Sequence, residues 1–258
     1  MSIPEKLRSF SRAIRGKSCS AVILAAGSGS RFAEGSSDTS LPKQFIPICG
    51  KPMIAYSLLA FDACEAVSEI VIVTRGEDIP TTEKILGDLT LTKPYKIVEG
   101  GATRQESALI GFNATSEKYS YVAIHDAARP LITAEAAYNV IRAAFVSKAA
   151  IAASPSVDTP KIVNARRLIK EKAPDREKLW NAQTPQVFER TLYQISAYYA
   201  KEKKFEATDD ASLLEFAGFF SKAVDIGITN LKVTHPDDLI IATAIIESRQ
   251  KADKEKQV

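Results

Sequence analysis

Residues 21–32, AVILAAGSGSRF, are the clearest indication of the fold in the sequence. The first part of this stretch is apolar and β-branched, which predicts a buried strand, and Gly27 and Gly29 then predict a loop. The missing side chains at these glycines would let backbone N–H groups close on an anion. The stretch therefore predicts a strand that runs directly into a candidate phosphate-binding loop.

The loop does not match the two most familiar phosphate-binding motifs. A dinucleotide-binding fingerprint needs a third glycine where this sequence has Phe32, and a P-loop would end in Gly-Lys-Ser or Gly-Lys-Thr. Two cations, Arg31 and Lys43, flank the glycines instead. The glycines alone are equally compatible with a plain surface turn, so the cations are what favours an anion site.

Three further apolar runs follow the first strand, at residues 69–75, 95–100 and 121–126. Longer amphipathic segments separate the runs, which is typical of βαβ units around a parallel sheet. A helix capped by Thr133 and a fifth strand near residues 151–153 continue the pattern. We therefore predict an α/β, Rossmann-like fold in which helices flank a mostly parallel sheet.

The alternation of strands and helices changes after the fifth strand. Residues 155–187 are predicted to leave the sheet as a protruding β-arm. The elements predicted after the arm are a helix at 188–202, a short helix at 209–218, strands at 221–227 and 230–234, and a last helix from Pro236. The predicted organisation is a basic N-terminal extension (1–18), one domain (19–250) and a charged C-terminal tail (251–258), because no linker or internal repeat interrupts the chain.

Composition excludes several classes of protein. The chain has 258 residues, of which 45% are hydrophobic and 25% charged, as in an ordinary globular protein. Its formal net charge is +3, but residues 1–17 alone carry +4, so the remainder has a charge of −1 and lacks the basic surface of a nucleic-acid binder. No apolar run is long enough for a membrane span, so we expect no membrane partner. The three cysteines and two histidines form no disulfide framework or zinc motif, so we expect a reducing compartment, the cytoplasm.

The N-terminal extension is amphipathic as well as basic. Ile3, Leu7, Phe10 and Ile14 recur at helical spacing among basic residues and serines. Such a segment is typical of a helix that lies on the domain, and the alternative is an organelle transit peptide.

Five ordered motifs carry a resemblance to a known family. They are AAGSGSR with PKQF (25–31 and 42–45), EGGATRQESA (99–108), AIHDAARP (123–130), DREKLWNAQTPQVF (175–188) and NLKVTHPDDL (230–239). The first resembles the signature of nucleotidyltransferases of the sugar-nucleotide pyrophosphorylase type. Together the five closely resemble the 2-C-methyl-D-erythritol 4-phosphate cytidylyltransferases of the non-mevalonate isoprenoid pathway.

The resemblance implies that CTP reacts with 2-C-methyl-D-erythritol 4-phosphate to give 4-diphosphocytidyl-2-C-methyl-D-erythritol and pyrophosphate. The acceptor phosphate would attack the α-phosphorus in line, and no general base is needed because this phosphate is already ionised at neutral pH. The protein then has to position the substrates and neutralise charge. Mg²⁺ or another divalent cation is expected, held mainly by the substrate phosphates.

The resemblance also implies roles for individual residues inside the motifs. The implied catalytic cations are Arg31 and Lys43 at the triphosphate, and Arg176 and Lys232 at the acceptor phosphate. The implied CTP contacts are Ala25, Ala26, Gly27, Ser28, Gly29, Gly100, Gly101, Arg104 and Ser107. The implied acceptor contacts are Asp126, Arg129, Asp158, Thr159 and Thr184, and Asp126 is also the expected metal contact.

Each of these residues also has a plain structural interpretation. A single cation is more often a solvated surface charge, Asp126 could cap a turn, and Thr159 and Thr184 could be ordinary strand or turn residues. His125 is expected to be packed or hydrogen-bonded rather than catalytic. The position of all four cations inside motifs is what favours the functional interpretation.

Two alternatives stay open at the level of function. Ribitol-5-phosphate cytidylyltransferases would use the same fold and chemistry on a different polyol phosphate. A catalytically silent nucleotide-binding module would keep the loop but would not need four cations. A Rossmann dehydrogenase is set aside because the third glycine is missing and no acidic residue closes the second strand.

The resemblance implies a homodimer. In the family the arm reaches across a twofold axis to complete the pocket of the neighbouring subunit.

Two features depart from the family pattern: the segment between Arg31 and Lys43 is longer than expected, and Pro160 stands where a β-branched residue is expected.

Overall fold

A computed structural model describes residues 16–27, 32, 41–172 and 174–255, with only the backbone at 170 and 171. Most of the predicted N-terminal extension and part of the glycine loop therefore lie outside the described residues. The strands are β1 (Cys19–Leu24), β2 (Pro47–Ile48), β3 (Lys51–Pro52), β4 (Val67–Thr74), β5 (Tyr95–Glu99), β6 (Tyr121–Asp126), β7 (Ala149–Pro155), β8 (Ile162–Val163), β9 (Ile169–Glu171), β10 (Trp180–Glu189) and β11 (Lys222–Asp225). The α-helices are α1 (Met53–Ala63), α2 (Ile79–Asp88), α3 (Arg104–Ala114), α4 (Ala134–Ser147), α5 (Arg190–Glu202), α6 (Asp210–Phe216) and α7 (Pro236–Glu255).

A seven-stranded sheet in the order β11-β7-β10-β6-β1-β4-β5 organises the described part of the chain. β1 is parallel to β4 and β6, β4 is parallel to β5, and β7 is parallel to β11. β10 lies antiparallel between β6 and β7. The predicted Rossmann-like, mostly parallel sheet flanked by helices is thus confirmed.

The first strand packs against helices on both faces of the sheet. Ala21 and Ile23 belong to a buried cluster that includes side chains of α1 and α4, whereas Val22 belongs to a cluster with α3 and α5. Successive side chains of a strand face opposite sides, so a continuous apolar run is what a strand covered on both faces requires. None of the described helices has the length and apolarity needed to cross a membrane.

Three helices begin at or next to the residue that the sequence predicts, whereas the helix predicted at 188–202 begins at Arg190 because residues 188 and 189 belong to β10. Thr133 caps α4 by accepting a hydrogen bond from the backbone N–H of Ala136 at 3.1 Å. The short helix α6 follows Asp209, whose side chain caps it in the same way. α7 begins at Pro236, as predicted, and its helical structure continues to Glu255, so that most of the predicted charged tail is helical.

The predicted boundaries of the arm need correction. Residues 180–189 form β10 in the middle of the main sheet, so the excursion is shorter than the predicted 155–187 and covers residues 156–179. The reason is burial, because Val187 and Phe188 are fully buried between the two covering layers. The arm itself contains the antiparallel pair β8–β9 and a single 3-10 turn at Arg176–Lys178.

The predicted strand at residues 230–234 is also wrong. This segment forms no strand and is held by single hydrogen bonds, such as the one from the Val233 N–H to the Ala128 carbonyl at 2.8 Å. Asn230 fixes its start, because the side-chain amide donates to the Thr184 carbonyl at 2.9 Å. The segment thus follows the edge of the pocket described below instead of extending the sheet.

Gly111 allows α3 to approach the sheet closely. A Cβ atom on Gly111 would overlap Val22 Cγ1 and would lie 2.7 Å from Val73 Cγ2. We expect Gly111→Ala to lower the free energy of unfolding by about 1–3 kcal/mol, because crowding a packed core forces side chains off their rotamers. Urea unfolding of the purified protein measures this loss.

Gly87 provides a matched control within α2. Nothing lies within 4 Å of a Cβ atom built there. Gly87→Ala is therefore expected to stabilise the protein by up to about 1 kcal/mol through helix propensity. Equal stability of the two variants would contradict the close approach of α3.

Candidate active site

A cavity of about 400 Å³ opens where β1, β5 and β6 end. Open α/β sheets bind their ligands at this carboxyl edge of the parallel strands. The residues that line it are Leu24, Ala25, Ala26, Gly27, Lys43, Gln44, Gly101, Ala102, Thr103, Arg104, Ser107, Asp126, Ala127, Ala128 and Lys232. Many of the residues predicted to contact CTP thus share one pocket with Lys43, Asp126 and Lys232.

The start of the glycine loop forms one wall of this pocket. The N–H of Ala25 donates to the Val73 carbonyl at 2.7 Å, which continues the sheet one residue past β1. Three of the predicted site residues, Ser28, Gly29 and Arg31, lie outside the described residues. Their predicted contacts with the triphosphate therefore stay predictions.

A glycine turn before α3 forms the opposite wall. A Cβ atom on Gly100 would lie 2.7 Å from Ala26 Cβ of the glycine loop and 2.9 Å from Ser107 Oγ, so only glycine fits where the turn meets the loop. Ser107 Oγ also accepts a hydrogen bond from the Gly101 N–H at 3.1 Å. The turn is closed further by a capping box between Thr103 and Glu106.

Lys43 is positioned by its two neighbours in sequence. Gln44 is buried and donates to the Ala25 carbonyl at 2.8 Å, while Phe45 packs into the core. The ammonium of Lys43 itself donates to the Val233 carbonyl at 3.2 Å. The structure thus holds Lys43 beside the glycine loop, despite the long preceding segment.

A network of two cations and two carboxylates lies on the floor of the pocket. Asp126, at the end of β6, accepts from Arg104 Nε at 3.2 Å and from Lys232 Nζ at 2.7 Å. Arg104 Nη1 also donates to Asp210 at 2.8 Å. The hydroxyl of Tyr193 donates to the other oxygen of Asp210 at 3.1 Å. The network therefore runs from buried Tyr193 to Lys232 at the pocket wall.

The charges in this network set the protonation states. Burial alone would raise the pKa of Asp126, but the adjacent charges of Arg104 and Lys232 outweigh burial and hold this pKa well below its usual range. Burial also raises the pKa of Asp210, against the opposing effect of Arg104. The two carboxylates in turn hold the pKa of Arg104 above its usual value, against the effect of burial. Asp126 is therefore ionised at neutral pH.

Two of the predicted acceptor contacts, Thr184 and Arg129, make hydrogen bonds within the chain outside this pocket. Thr184 Oγ1 accepts from the Asp126 N–H at 3.1 Å and is hydrogen-bonded to His125 Nδ1 at 3.0 Å. Arg129 donates to the Asn230 carbonyl at 2.7 Å. Neither Thr184 nor Arg129 lines the pocket, so within the chain they support Asp126 and the segment that follows Asn230.

His125 is a packed, hydrogen-bonded residue, as predicted. Its ring is fully buried and lies 5.0 Å from the Phe61 ring, and its Nε2 is hydrogen-bonded to Ser57 Oγ at 3.3 Å. Burial is the main cause that lowers its pKa to about 4. The imidazole is therefore neutral at physiological pH and does not serve as a proton donor there.

The low pKa of His125 predicts a pH dependence of stability. Below about pH 6.5 His125 binds a proton in the unfolded chain but stays neutral in the folded chain. Its contribution to the free energy of unfolding is therefore fully present above that pH and is lost as the pH falls toward the folded pKa. We expect a loss of about 2 kcal/mol between pH 7 and pH 5 from this residue. Urea unfolding at both pH values, compared with His125→Gln, measures it. If the free energy of unfolding changes equally with pH in the wild type and in His125→Gln, the prediction is contradicted.

Three predicted site residues lie on the arm, away from the pocket of their own chain. Asp158, Thr159 and Arg176 are exposed, and none of them lines the cavity. Arg176 Nη1 is 3.4 Å from the Val157 carbonyl, which is a contact within the arm. A single chain thus brings together Lys43, Arg104, Asp126 and Lys232, but not Arg176.

Comparison with known proteins identifies the family. The family model described as IspD, 2-C-methyl-D-erythritol 4-phosphate cytidylyltransferase, matches residues 19–248. The chain belongs to this family. It is 42% identical to the cytidylyltransferase of that name from Caldanaerobacter subterraneus subsp. tengcongensis, over 86% of this chain and 96% of the relative. The corresponding protein of Nostoc punctiforme is 39% identical, over 88% and 98%.

A solved structure of the family shares the fold. The crystal structure of 4-diphosphocytidyl-2C-methyl-D-erythritol synthase from Anaerococcus prevotii superposes with a TM-score of 0.80 at 29% identity, over 92% of this chain and 99% of that one. The mostly parallel sheet of the cytidylyltransferase family is therefore the sheet observed here.

Two polar residues of the cytidylyltransferase site were not predicted from the sequence: Gln44 lines the pocket, and Asp210 is buried behind Arg104. Gln44 lies within the PKQF motif, where the adjacent charge of Lys43 is the stronger signal for an anion site. Asp210 follows Asp209 at the start of a short helix, and an acidic pair there is ordinarily explained by capping. The available signal was the second carboxylate, because one Asp is enough to cap a helix.

Proposed function

We propose that the protein transfers CMP from CTP to 2-C-methyl-D-erythritol 4-phosphate, which yields 4-diphosphocytidyl-2-C-methyl-D-erythritol and pyrophosphate. The observation that carries the proposal is that the glycine turn, the start of the glycine loop, Lys43, Arg104 and Lys232 all line the same pocket. Membership of the family favours this function over the ribitol phosphate alternative and over a catalytically silent module.

The chemistry requires that charge be neutralised. The dianionic acceptor phosphate must approach a triphosphate, and this repulsion is severe in a partly dehydrated pocket. Lys43 would bind the triphosphate from the side of the glycine loop, and Arg31 would join it there. Cations that are already in place stabilise the charge developing on the α-phosphoryl group and on pyrophosphate without reorganisation in the transition state.

Lys232 would hold the acceptor phosphate. Its ammonium gives one of its three N–H donors to Asp126, which fixes its position. The other donors can bind phosphate while this ion pair persists. Asp126 would in addition accept a hydrogen bond from an acceptor hydroxyl, which its ionised state favours.

The glycine turn would select the nucleotide. A Cβ atom would meet Ala26 of the glycine loop at Gly100 and Glu106 at Gly101, so neither position accepts a side chain and the turn would present backbone to the base. A site closed by backbone and a short hydroxyl would favour a pyrimidine over the larger purine ring system by steric fit. Arg104 and Ser107 would contact the nucleotide from the first turns of α3.

The divalent cation would enter with the nucleotide. Among the residues that the structure describes, no group of three or more His, Cys, Asp or Glu side chains could hold a metal ion. Asp126 is the carboxylate at the pocket wall, and Mg²⁺ characteristically needs only one or two carboxylates beside substrate phosphates. We therefore propose Mg·CTP as the substrate, with Asp126 as the protein contact.

The arm would join two subunits into a homodimer. Val157, Leu168 and Ile169 are 64%, 54% and 61% exposed, which is unfavourable for an isolated two-stranded hairpin. Covering them with a second arm would bring Asp158, Thr159 and Arg176 to the partner's pocket.

A cytoplasmic location is also part of the proposal, and it is based on the sparse, unpaired cysteines of the sequence.

Pyrophosphate release tests the proposed function. Purified protein with Mg²⁺ and CTP is assayed with 2-C-methyl-D-erythritol 4-phosphate and, separately, with ribitol 5-phosphate, and ATP replaces CTP as the control nucleotide. We expect kcat/KM for the first acceptor to exceed that for the second about tenfold or more. A preference for ribitol 5-phosphate would overturn the acceptor assignment, and no release with either acceptor would favour the silent module.

A further inference from the structure

Asp210 has no role in the mechanism proposed so far, although it lies at the inner end of the ion network. Its side chain is 1% exposed and accepts hydrogen bonds from Arg104 and Tyr193. Burial of a carboxylate is costly unless it is paired, and well-packed apolar residues often stabilise a fold as well as a buried ion pair does. Stability alone therefore does not explain an ionisable group at this position.

The bond to Asp210 determines where the guanidinium of Arg104 lies. Arg104 is the first residue of α3, and its Nε and Nη1 atoms bind two different carboxylates, at 3.2 Å on Asp126 and 2.8 Å on Asp210. A planar guanidinium that is held at two of its atoms has both its position and its plane fixed. The shorter bond comes from the buried side, so Asp210 is the firmer of the two anchors.

The anchor is itself rigidly held. Asp210 is the first residue of α6, and the side chain of Asp209 caps this helix by accepting from the Ser212 N–H at 2.9 Å. Gln186 of β10 accepts from the Ala211 N–H at 2.9 Å. The start of α6 is thus hydrogen-bonded to the central sheet. Because Asp126 also belongs to this sheet, Arg104 binds two carboxylates whose positions are fixed relative to each other.

We propose that Asp210 is a positioning residue that holds Arg104 at the wall of the nucleotide pocket. The proposal rests on the proposed role of Arg104 in binding CTP. Without Asp210, the guanidinium would turn toward Asp126 and bind both of its oxygens. That pairing would withdraw Arg104 from the nucleotide and would compete with Lys232 for Asp126.

The isosteric substitution Asp210→Asn tests the proposal. We expect the KM for CTP to rise about tenfold with a change in kcat below about threefold, because Arg104 would bind the nucleotide alike in the ground state and in the transition state. Tyr193→Phe is the matched control, since it removes the other hydrogen bond to Asp210 without touching Arg104, and its KM for CTP should stay within about twofold of the wild type. Calorimetric binding of CTP and thermal melting accompany the kinetics.

A double-mutant cycle separates this proposal from the one on which it rests. Arg104→Gln should raise the KM for CTP, and in that background Asp210→Asn should add less than about twofold. An unchanged KM in Arg104→Gln would overturn the role of Arg104 and the proposal with it. If Arg104→Gln raises the KM for CTP but Asp210→Asn leaves it unchanged, only the positioning role is overturned. The same conclusion holds if the double variant raises the KM by the full product of the two single effects. Asp210→Glu, which keeps the charge but displaces the carboxylate, serves the same comparison if the Asn variant does not fold.

Discussion

Lys43→Ala is expected to lower kcat about a hundredfold or more, because removal of one preorganised charge costs about 3 kcal/mol of transition-state stabilisation. Lys43 lines the pocket, and Gln44 holds it beside the start of the glycine loop. On sequence grounds Arg31→Ala should cause a comparable loss. Steady-state pyrophosphate release with saturating CTP measures both variants.

The control for this prediction is a lysine far from the pocket. Lys84 is an exposed residue of α2, and Lys84→Ala should leave kcat unchanged. The melting temperature of Lys43→Ala should match that of the wild type, since its ammonium is not part of the core. Near-normal turnover of a folded Lys43→Ala protein would remove Lys43 from the proposed mechanism.

Mixing two inactive variants, Arg176→Ala and Lys43→Ala, is expected to restore about a quarter of wild-type activity after subunit exchange. Arg176 lies on the arm, outside the pocket of its own chain. If it serves the partner's pocket, each mixed dimer holds one site with both defects and one with neither. Random exchange in an equal mixture makes half of the dimers mixed. Because one of the two sites in each mixed dimer is intact, about a quarter of all sites are active.

Exchange itself must be verified for this experiment. Two differently tagged preparations allow the mixed dimers to be counted by native mass spectrometry, and each variant carried alone through the same procedure should stay inactive. Complete exchange without recovered activity would show that Arg176 serves its own chain or has no catalytic role. A protein that remains monomeric throughout would contradict the proposed homodimer.

The architecture was predictable because its signals are local. A continuous apolar run such as β1 can be covered on both faces, and its glycine loop marks the strand's end in the sequence itself. The position of Asp126 follows from the same reasoning, because it closes the buried strand β6. These inferences need no knowledge of distant contacts.

The arm and the 230–234 segment were predicted less well because their placement depends on distant contacts. The apolar pattern of residues 179–188 fits a strand in an arm as well as one in the central sheet, and only pairing with β6 and β7 distinguishes these. Residues 230–234 have β-branched side chains typical of a strand, yet a partner strand is absent among the described residues, and the pocket edge holds them. Local propensity does not specify the neighbour.

The site shows the same division. Motifs identify residues near the pocket without separating those that line it from those that do not: Thr184 and Lys232 both lie in motifs, but only Lys232 lines the cavity. Asp210 is distant from Arg104 along the chain, and their ion pair is a tertiary contact. Such pairs become visible only when the fold brings the two segments together.

The way the arm joins the sheet makes it a separable module for protein engineering. β7 and β10 are antiparallel neighbours, and Pro155 pairs with Trp180 where the chain departs and returns. In topological terms the whole excursion is one long hairpin loop, and the Ser156 N–H donates to the Leu179 carbonyl at 2.9 Å, so we expect a two-residue Asn-Gly turn in place of residues 157–178 to close on this pair. The exchange would leave the register of β10 against β6 untouched. Under the proposed homodimer, this exchange would remove both the dimer contact and the arm's Asp158, Thr159 and Arg176 from the partner's pocket, while Lys43, Arg104, Asp126 and Lys232 stay in the remaining chain.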